Sequence, residues 1–252
     1  MRVCVLSSGS KGNCSYIETN SHKILIDIGN SCAYVERSLR KINVDPDSID
    51  IILITHAHVD HIAGLRVFVK KHKVKVFMTQ AILKESKLNI DFLKMDKCIK
   101  MDSMVISAIK TSHDVDDSLG YIIEDGLLSV VYITDTGYIN ERYYKQLRNK
   151  NVYIFESNHD PELLMNNDNY PYHTKIRILG DKGHLSNADS AYYLSEFIGS
   201  DTKKVYLAHL SEQNNTDLLA LSSLQKKLKS KGINFANIEI AHQNEISEVF
   251  QI

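Results

Sequence analysis

The chain of 252 residues has no long apolar run. Nothing in it approaches the ~20 apolar residues of a membrane span. The opening Met1-Arg2-Val3-Cys4-Val5-Leu6 turns polar at Ser7, too early for the apolar core of a secretory signal. No sign of charge is in excess either. Thirty lysines and arginines face 31 aspartates and glutamates, a net charge of −1, so no global field draws in nucleic acid. Any pull on an anionic substrate must then be local. The four cysteines, Cys4, Cys14, Cys32 and Cys98, form no Cys-x-x-Cys pair. That argues against a zinc knuckle and fits free thiols in a reducing, cytoplasmic compartment. There are only three prolines, no long linker and no repeat of fixed period. One domain spanning residues 1–252 is the simplest organisation.

Histidine is what the chain has in quantity. There are eleven, most of them at loop-like positions, in a chain whose 43% hydrophobic and 24% charged content is ordinary for a globular core. Apolar patterning predicts strands at Val3–Leu6, Cys14–Glu18, Lys23–Ile28 and Ile49–Ile54. Further strands are expected at Val74–Met78, Met104–Ile109, Gly120–Ile123, Ser129–Thr134, Val152–Phe155 and Val205–Ala208. Helices are expected at Tyr34–Lys41, Ile62–Lys71, Asn140–Leu147, Ser186–Phe197 and Thr216–Lys229. Asp160-Pro161 and Tyr170-Pro171 bracket an Asn-rich stretch that reads as an exposed excursion.

The decisive stretch is Thr55-His56-Ala57-His58-Val59-Asp60-His61, between a buried strand and a helix. His56 and His58 stand two residues apart, so in extended backbone they face one side. Asp60 and His61 fall where the chain turns into the helix. Four ligand-type side chains converge at one strand end, a mixture of imidazole and carboxylate that suits zinc, iron or manganese.

This His-x-His-x-Asp-His segment resembles the signature of the metallo-β-lactamase superfamily, which implies an α/β fold, a four-layered αβ/βα sandwich with the metal site at one edge. Other segments resemble the remaining motifs in order: Asp27 in Leu25-Ile26-Asp27-Ile28-Gly29, His113 in Thr111-Ser112-His113-Asp114, Asp135 in Thr134-Asp135-Thr136-Gly137, and His209 in Leu207-Ala208-His209-Leu210-Ser211. The resemblance implies one metal on His56, His58 and His113 and a second on Asp60, His61 and His209. Asp135 would be shared, and Asp27 would be a structural carboxylate behind the site. Two divalent ions, Zn²⁺ or Mn²⁺, are the implied cofactors. A hydroxide between them would be the nucleophile, with Asp60 orienting it. Histidine at position 58, where diiron oxygen-reducing relatives carry a carboxylate, argues for hydrolysis over redox chemistry.

Gly183-His184-Leu185-Ser186-Asn187 is similar to a ribonuclease Z segment whose histidine meets the scissile phosphate. This makes His184 the candidate phosphate binder or proton donor and Glu156 the carboxylate that holds it. Together with Ser8-Gly9-Ser10-Lys11-Gly12-Asn13 and Glu156-Ser157-Asn158-His159-Asp160, these segments resemble the YycJ (WalJ) branch, regarded as DNA exonucleases acting from 5′ ends. The Gly-rich loop offers backbone N–H groups for a phosphate, with Ser8, Ser10 and Asn13 beside them. Lys175, Arg177 and Lys182 precede His184 and are candidate contacts to a strand backbone. Forty-eight residues between Asp135 and His184 leave no room for the extra domain of the ribonuclease J and cleavage-factor nucleases. The 21 between His113 and Asp135 exclude the long tRNA-clamping arm of ribonuclease Z. An open site follows, with DNA the expected substrate rather than RNA and no membrane partner. The competing readings are a small-molecule metallohydrolase (a lactonase, thioesterase or cyclic phosphodiesterase) and a non-catalytic interaction protein. The second is disfavoured because no ligand is missing. These motifs set neither the physiological metal nor the oligomeric state.

Overall fold

Along Val130-Val131-Tyr132-Ile133 successive side chains enter different cores. Val130 and Tyr132 join one cluster of 42 buried residues, Val131 and Ile133 another of 17. The same alternation splits Tyr121 and Ile123 from Ile122, Ile154 from Tyr153 and Phe155, and Tyr206 from Val205 and Leu207. Strands buried on both faces belong in the middle of a layered sandwich. The computed structural model, which describes residues 1–252, shows that sandwich.

One sheet holds β1 (Arg2–Ser7), β2 (Cys14–Glu18), β3 (Lys23–Ile26), β4 (Ile51–Leu53), β5 (Lys75–Met78) and β6 (Leu93–Lys94). The other holds β7 (Cys98–Met101), β8 (Met104–Lys110), β9 (Leu119–Asp125), β10 (Leu128–Ile133), β11 (Val152–Glu156), β12 (Lys204–Ala208) and β13 (Ile238–Ile240). A short C-terminal strand, β14 (Phe250–Gln251), covers the β1 edge of the first sheet. In each sheet an antiparallel part continues into a parallel part: β3 to β6 run parallel, as do β10 to β13.

The larger core joins the two sheets and also takes in α1 (Cys32–Lys41), α3 (Leu65–Lys71) and α4 (Gln80–Ser86). The smaller core packs α5 (Tyr144–Leu147), α8 (Asn187–Phe197) and α9 (Asp217–Ser230) on the outside of the second sheet. Between them in sequence lie α2 (Val59–Ile62), α6 (Pro161–Asn166) and α7 (Tyr172–Leu179). The result is the expected four-layered α/β arrangement.

Some boundaries differ from the expected ones, for identifiable reasons. The helix expected over Ile62–Lys71 is broken at Gly64, whose N–H bonds Ile28 O (2.9 Å) and where a Cβ would overlap the Asn30 carbonyl. The stretch Asn140–Leu147 is a 3₁₀ turn, Glu141–Tyr143, followed by the single turn of α5. Past the excursion that Pro161 opens with α6, Tyr172–Leu179 also turns out helical. The strands β6, β7, β13 and β14 were not foreseen. The chain ends meet: Ile252 N–H donates to Met1 O at 2.9 Å.

Direction decides where chemistry can sit. Strands β1, β3, β4 and β5 finish at one edge of the first sheet, and β8, β10, β11 and β12 finish at one edge of the second. The loops that follow them carry Ser8 to Asn13, Asp27, His56, His113, Asp135 and His209.

Candidate metal centre

Three of these loops are stitched together by backbone. Asn13 N–H bonds Asp60 O (2.8 Å), Ile28 N–H bonds His61 O (2.8 Å) and Gly29 N–H bonds Asn13 O (2.9 Å). Gly29 lets them approach, because a Cβ there would overlap the Asp60 carbonyl. Asp27, Asp135 and His209 adopt left-handed backbone, with φ of 61°, 55° and 56°. That conformation costs a residue with a side chain roughly 1–3 kcal/mol. Each directly follows, or stands two residues past, the end of a strand, so the strain turns a side chain into the cleft at the point where the ladder stops.

The seven expected ligands converge. Ligating atoms of His56, His58 and His113 lie within 4.8 Å of one another, as do those of Asp60, His61 and His209, and Asp135 joins His56 and His61 in a third such group. The hydrogen bonds then fix which nitrogen of each ring faces inward. His61 Nδ1 donates to Asp27 Oδ2 (2.8 Å) and His113 Nδ1 to Gly183 O (3.2 Å). His56 Nδ1 donates to Thr55 Oγ1 (3.0 Å), whose own hydrogen goes to Asp27 Oδ2 (2.9 Å). His209 Nδ1 meets Glu156 Oε1 (3.1 Å). In all four the Nε2 is left for the cleft. In His58 the order reverses: Nδ1 faces His113 Nε2 at 3.3 Å, and Nε2 lies 3.5 Å from Asp114 Oδ1.

This donor set fits metal ions. His56 Nε2, His209 Nε2 and Asp135 Oδ2 are buried without a hydrogen-bond partner. Orphaned buried polar atoms are rare in a folded protein and call for a partner. Outward nitrogens tied to a carboxylate or carbonyl are what holds a metal-ligating imidazole in one tautomer.

Without metal the cluster traps protons instead. Burial opposes the His209 imidazolium, but Asp135, Asp60 and Glu156 outweigh it and raise its pKa to about 10. His61 is likewise raised against burial, by Asp135 and Asp27. Burial, assisted by His61, holds His56 low, and burial also lowers His113. Burial pushes the Glu156 carboxyl up, yet His184 and His209 bring it down to about 2.

His184 stands at the mouth of this cleft, its side chain 20% exposed. Its Nδ1 donates to Glu156 Oε1 (2.7 Å), and its ring centre is 5.0 Å from that of His113. The other Glu156 oxygen accepts from Thr136 N–H (3.0 Å) and Leu185 N–H (3.2 Å). Ser10, Arg177 and Lys182 line the same cleft of about 330 Å³.

Three residues expected against a substrate are placed elsewhere. Lys175 is buried, its ammonium donating to Met165 O (2.7 Å) and bracing α6 on α7. Ser8 is buried and its Oγ accepts from His209 N–H (2.7 Å). Asn13 is buried and its amide donates to Gly9 O (3.1 Å) and toward Asp60 Oδ2 (3.3 Å). Most N–H groups of the Gly-rich loop are spent inside the protein, which leaves little of it to cradle a phosphate. Gly9 N–H bonds Asn13 Oδ1 (2.8 Å), Lys11 N–H bonds Gln243 Oε1 (2.9 Å), and Ser8 and Gly12 use His242 O and Gly9 O.

Asp114 and Gln243 were missed. Asp114 links His58 to Arg177, whose Nη1 lies 3.2 Å away. Its place beside His113 was a usable signal. Gln243 is more than two hundred residues from the loop it holds and gave none.

Comparison with known proteins agrees with this geometry. Residues 8–95 match the model of the metallo-beta-lactamase superfamily. Over 240 residues the chain is 33% identical to the exodeoxyribonuclease YycJ of Bacillus anthracis, covering 92% of this chain and 90% of that one. Identity to the exodeoxyribonuclease WalJ of Streptococcus pneumoniae is 36% over 237 residues, covering 90% and 88%. Among solved structures, the metallo-beta-lactamase fold protein YhfI of Bacillus subtilis superposes with a TM-score of 0.70 at 17% identity, covering 98% of this chain and 99% of that one. The chain belongs to the metallo-β-lactamase superfamily, within the branch of YycJ and WalJ, and is a metal-dependent hydrolase.

Proposed function

We infer that the chain is a phosphodiesterase with two divalent metals, Zn²⁺ or Mn²⁺, that trims DNA from 5′ ends. The observation that carries this is the Glu156–His184 pair beside the ligand cluster. A hydrolase of esters with good leaving groups needs the metals alone, whereas a deoxyribose oxygen leaves poorly unless it is protonated. Glu156 holds His184 Nδ1, so Nε2 is the nitrogen turned to substrate, and Glu156 stabilises the ring whenever it carries a second proton. Lys182 on the rim, which has no carboxylate partner, supplies local positive charge that the balanced sequence lacks, and Arg177 adds donors beside it although Asp114 offsets its charge. The names of the YycJ and WalJ relatives, exodeoxyribonucleases, favour DNA; the preference for 5′ ends is carried over from the motif resemblance alone.

When bound, the two metals would supply Lewis acidity, lowering the pKa of a water and neutralising charge on the phosphate. His56, His58 and His113 would hold one, Asp60, His61 and His209 the other, with Asp135 shared. Asp60, half-buried at the cleft, accepts a hydrogen from the attacking water and aims it at phosphorus. His184 then gives its Nε2 proton to the departing oxygen.

His184→Ala tests this. Metal content should stay at the wild-type level while DNA cleavage falls roughly 10²-fold or more, the typical range for a proton-transfer group. On bis-p-nitrophenyl phosphate, whose nitrophenolate leaves without a proton, the loss should be much smaller. Equal losses on both substrates would overturn the proton-donor role.

A further inference from the structure

A second cavity, about 720 Å³, opens on the same edge of the sandwich as the metal ligands. It lies within the ~300–1,000 Å³ typical of ligand pockets. Its position follows from strand direction. Thr79 lines it just past the end of β5, Lys110 ends β8, and Leu119, paired with Lys110, begins β9. Lys110 is three residues before His113, so their Cα atoms are at most about 10 Å apart. Leu119 N–H bonds Thr55 O (3.0 Å), one residue from His56.

The lining combines an apolar floor with a cationic rim. Met95 and Leu119 are buried in the floor, and Ala108 lies beside them. Three cations stand around it: Lys97, Lys110 and Arg142. Lys110 is neutralised by Asp117, and the one carboxylate of the lining, Asp96, is met by Lys94 at 3.7 Å. Lys97 and Arg142 have no carboxylate partner. The Arg142 guanidinium lies 4.7 Å from the centre of the Tyr143 ring and donates to its hydroxyl (2.8 Å). A flat guanidinium–aromatic pair beside an apolar floor suits a planar ring, and unpaired cations suit a phosphate. Single-stranded nucleic acid is held by this combination of stacking and backbone charge.

We propose that this cavity seats a nucleotide of the DNA strand whose scissile phosphate lies at the metal centre, so that Lys97, Arg142 and Tyr143 form a second grip on the substrate. The proposal rests on the nuclease reading and names the track its substrate follows. Cys98, the only exposed cysteine, lines the cavity and reports on its occupancy.

The test has two arms. In EDTA, where nothing is cleaved, alkylation of Cys98 by iodoacetamide is timed with and without a short single-stranded oligonucleotide. Near saturation, protection of about tenfold is expected, set by the unoccupied fraction. Lys97→Ala/Arg142→Ala should abolish this protection. In the second arm, with metal, the same double variant should raise KM for the oligonucleotide about tenfold with kcat, metal content and bis-p-nitrophenyl phosphate turnover unchanged. The slope of log affinity against log salt should become shallower by about one for each phosphate that no longer meets a cation. Unprotected Cys98 overturns the inference even if the wild type degrades DNA. Protection by deoxyadenosine monophosphate but not by the oligonucleotide also overturns it, because the cavity would then hold a free nucleotide. If the wild type leaves DNA intact yet the oligonucleotide protects Cys98, the grip stands and the nuclease reading falls.

Discussion

Glu156 does two jobs with two oxygens. One receives Nδ1 of both His184 and His209, and the other receives the N–H groups of Thr136 and Leu185. The proposed proton donor, a proposed metal ligand and the loop of Asp135 therefore depend on one buried carboxylate. Glu156→Gln keeps the shape but gives up the charge, so metal affinity or turnover should fall about 10–100-fold, the range for partners of metal ligands. Asp27→Asn should act through His61 in the same way. Metal titration beside rate assays checks both, and wild-type values would remove these carboxylates from the machinery. A pH effect follows from His209. Its pKa in the metal-free fold is about 10, against 6.5 for an ordinary histidine. A raised pKa means the bound proton stabilises the fold; this contribution is complete below pH ~6.5 and is lost as the pH climbs toward about 10. Metal requires the neutral ring, so loading near neutral pH must expel the proton, and apparent metal affinity should rise with pH across that window. Calorimetry in two buffers of different ionisation enthalpy should show at least one proton released per chain. An enthalpy that does not depend on buffer would contradict the assignment.

At the scale of elements, the site is a set of strand ends held by a few close approaches. Gly29→Ala would drive a methyl into the Asp60 carbonyl, push α2 off the Gly-rich loop and move two ligands at once. Loss of most bound metal is expected with the two sheets still formed, read by metal analysis and circular dichroism. Full metal content would show that the approach is slack. These ends also explain what was legible in the sequence. β2 was located residue for residue, because alternation and flanking turns bound it on both sides. The ligands were legible because each follows an apolar run that stops abruptly. Lys175 was misplaced because its sequence neighbours are the rim residues Arg177 and Lys182, while its partner, Met165 O, is set by how α6 folds on α7. The supposed phosphate cradle had the right loop composition. The side chains that fill it, Asn13 and Gln243, reach it only through the loop's own fold and through the distant C-terminal segment. Short edge strands such as β6 and β14, two residues each, carry too little pattern to be seen.

For the whole molecule, the proposed ligands are shared between the sheets. His56, His58, Asp60 and His61 follow the first sheet, and His113, Asp135 and His209 follow the second. Metal would therefore clamp the two halves of the sandwich, and binding should add to stability by mass action. At about 100-fold over Kd the gain is ~2.7 kcal/mol. For a chain of this size that corresponds to a Tm rise of roughly 5–10 °C over the EDTA-treated protein. A Tm indifferent to EDTA would mean that no such clamp forms. The meeting of Met1 and Ile252 has a different consequence. A chain whose ends hydrogen-bond to each other is nearly a closed ring, and a ring can be cut anywhere the fold tolerates a gap. The turn between β9 and β10 is such a place: Gly126 has open space around it, Leu127 is 97% exposed, and the turn lies at the edge opposite the ligands. A circular permutant that joins residue 252 to residue 1 through a short Gly-Ser linker and starts at Leu127 should fold, bind metal and keep wild-type turnover. Because its new order opens the second sheet with β10 to β13, passes through the first sheet and returns to the second with β7 to β9, it would also show whether the first sheet can form inside an unfinished second one.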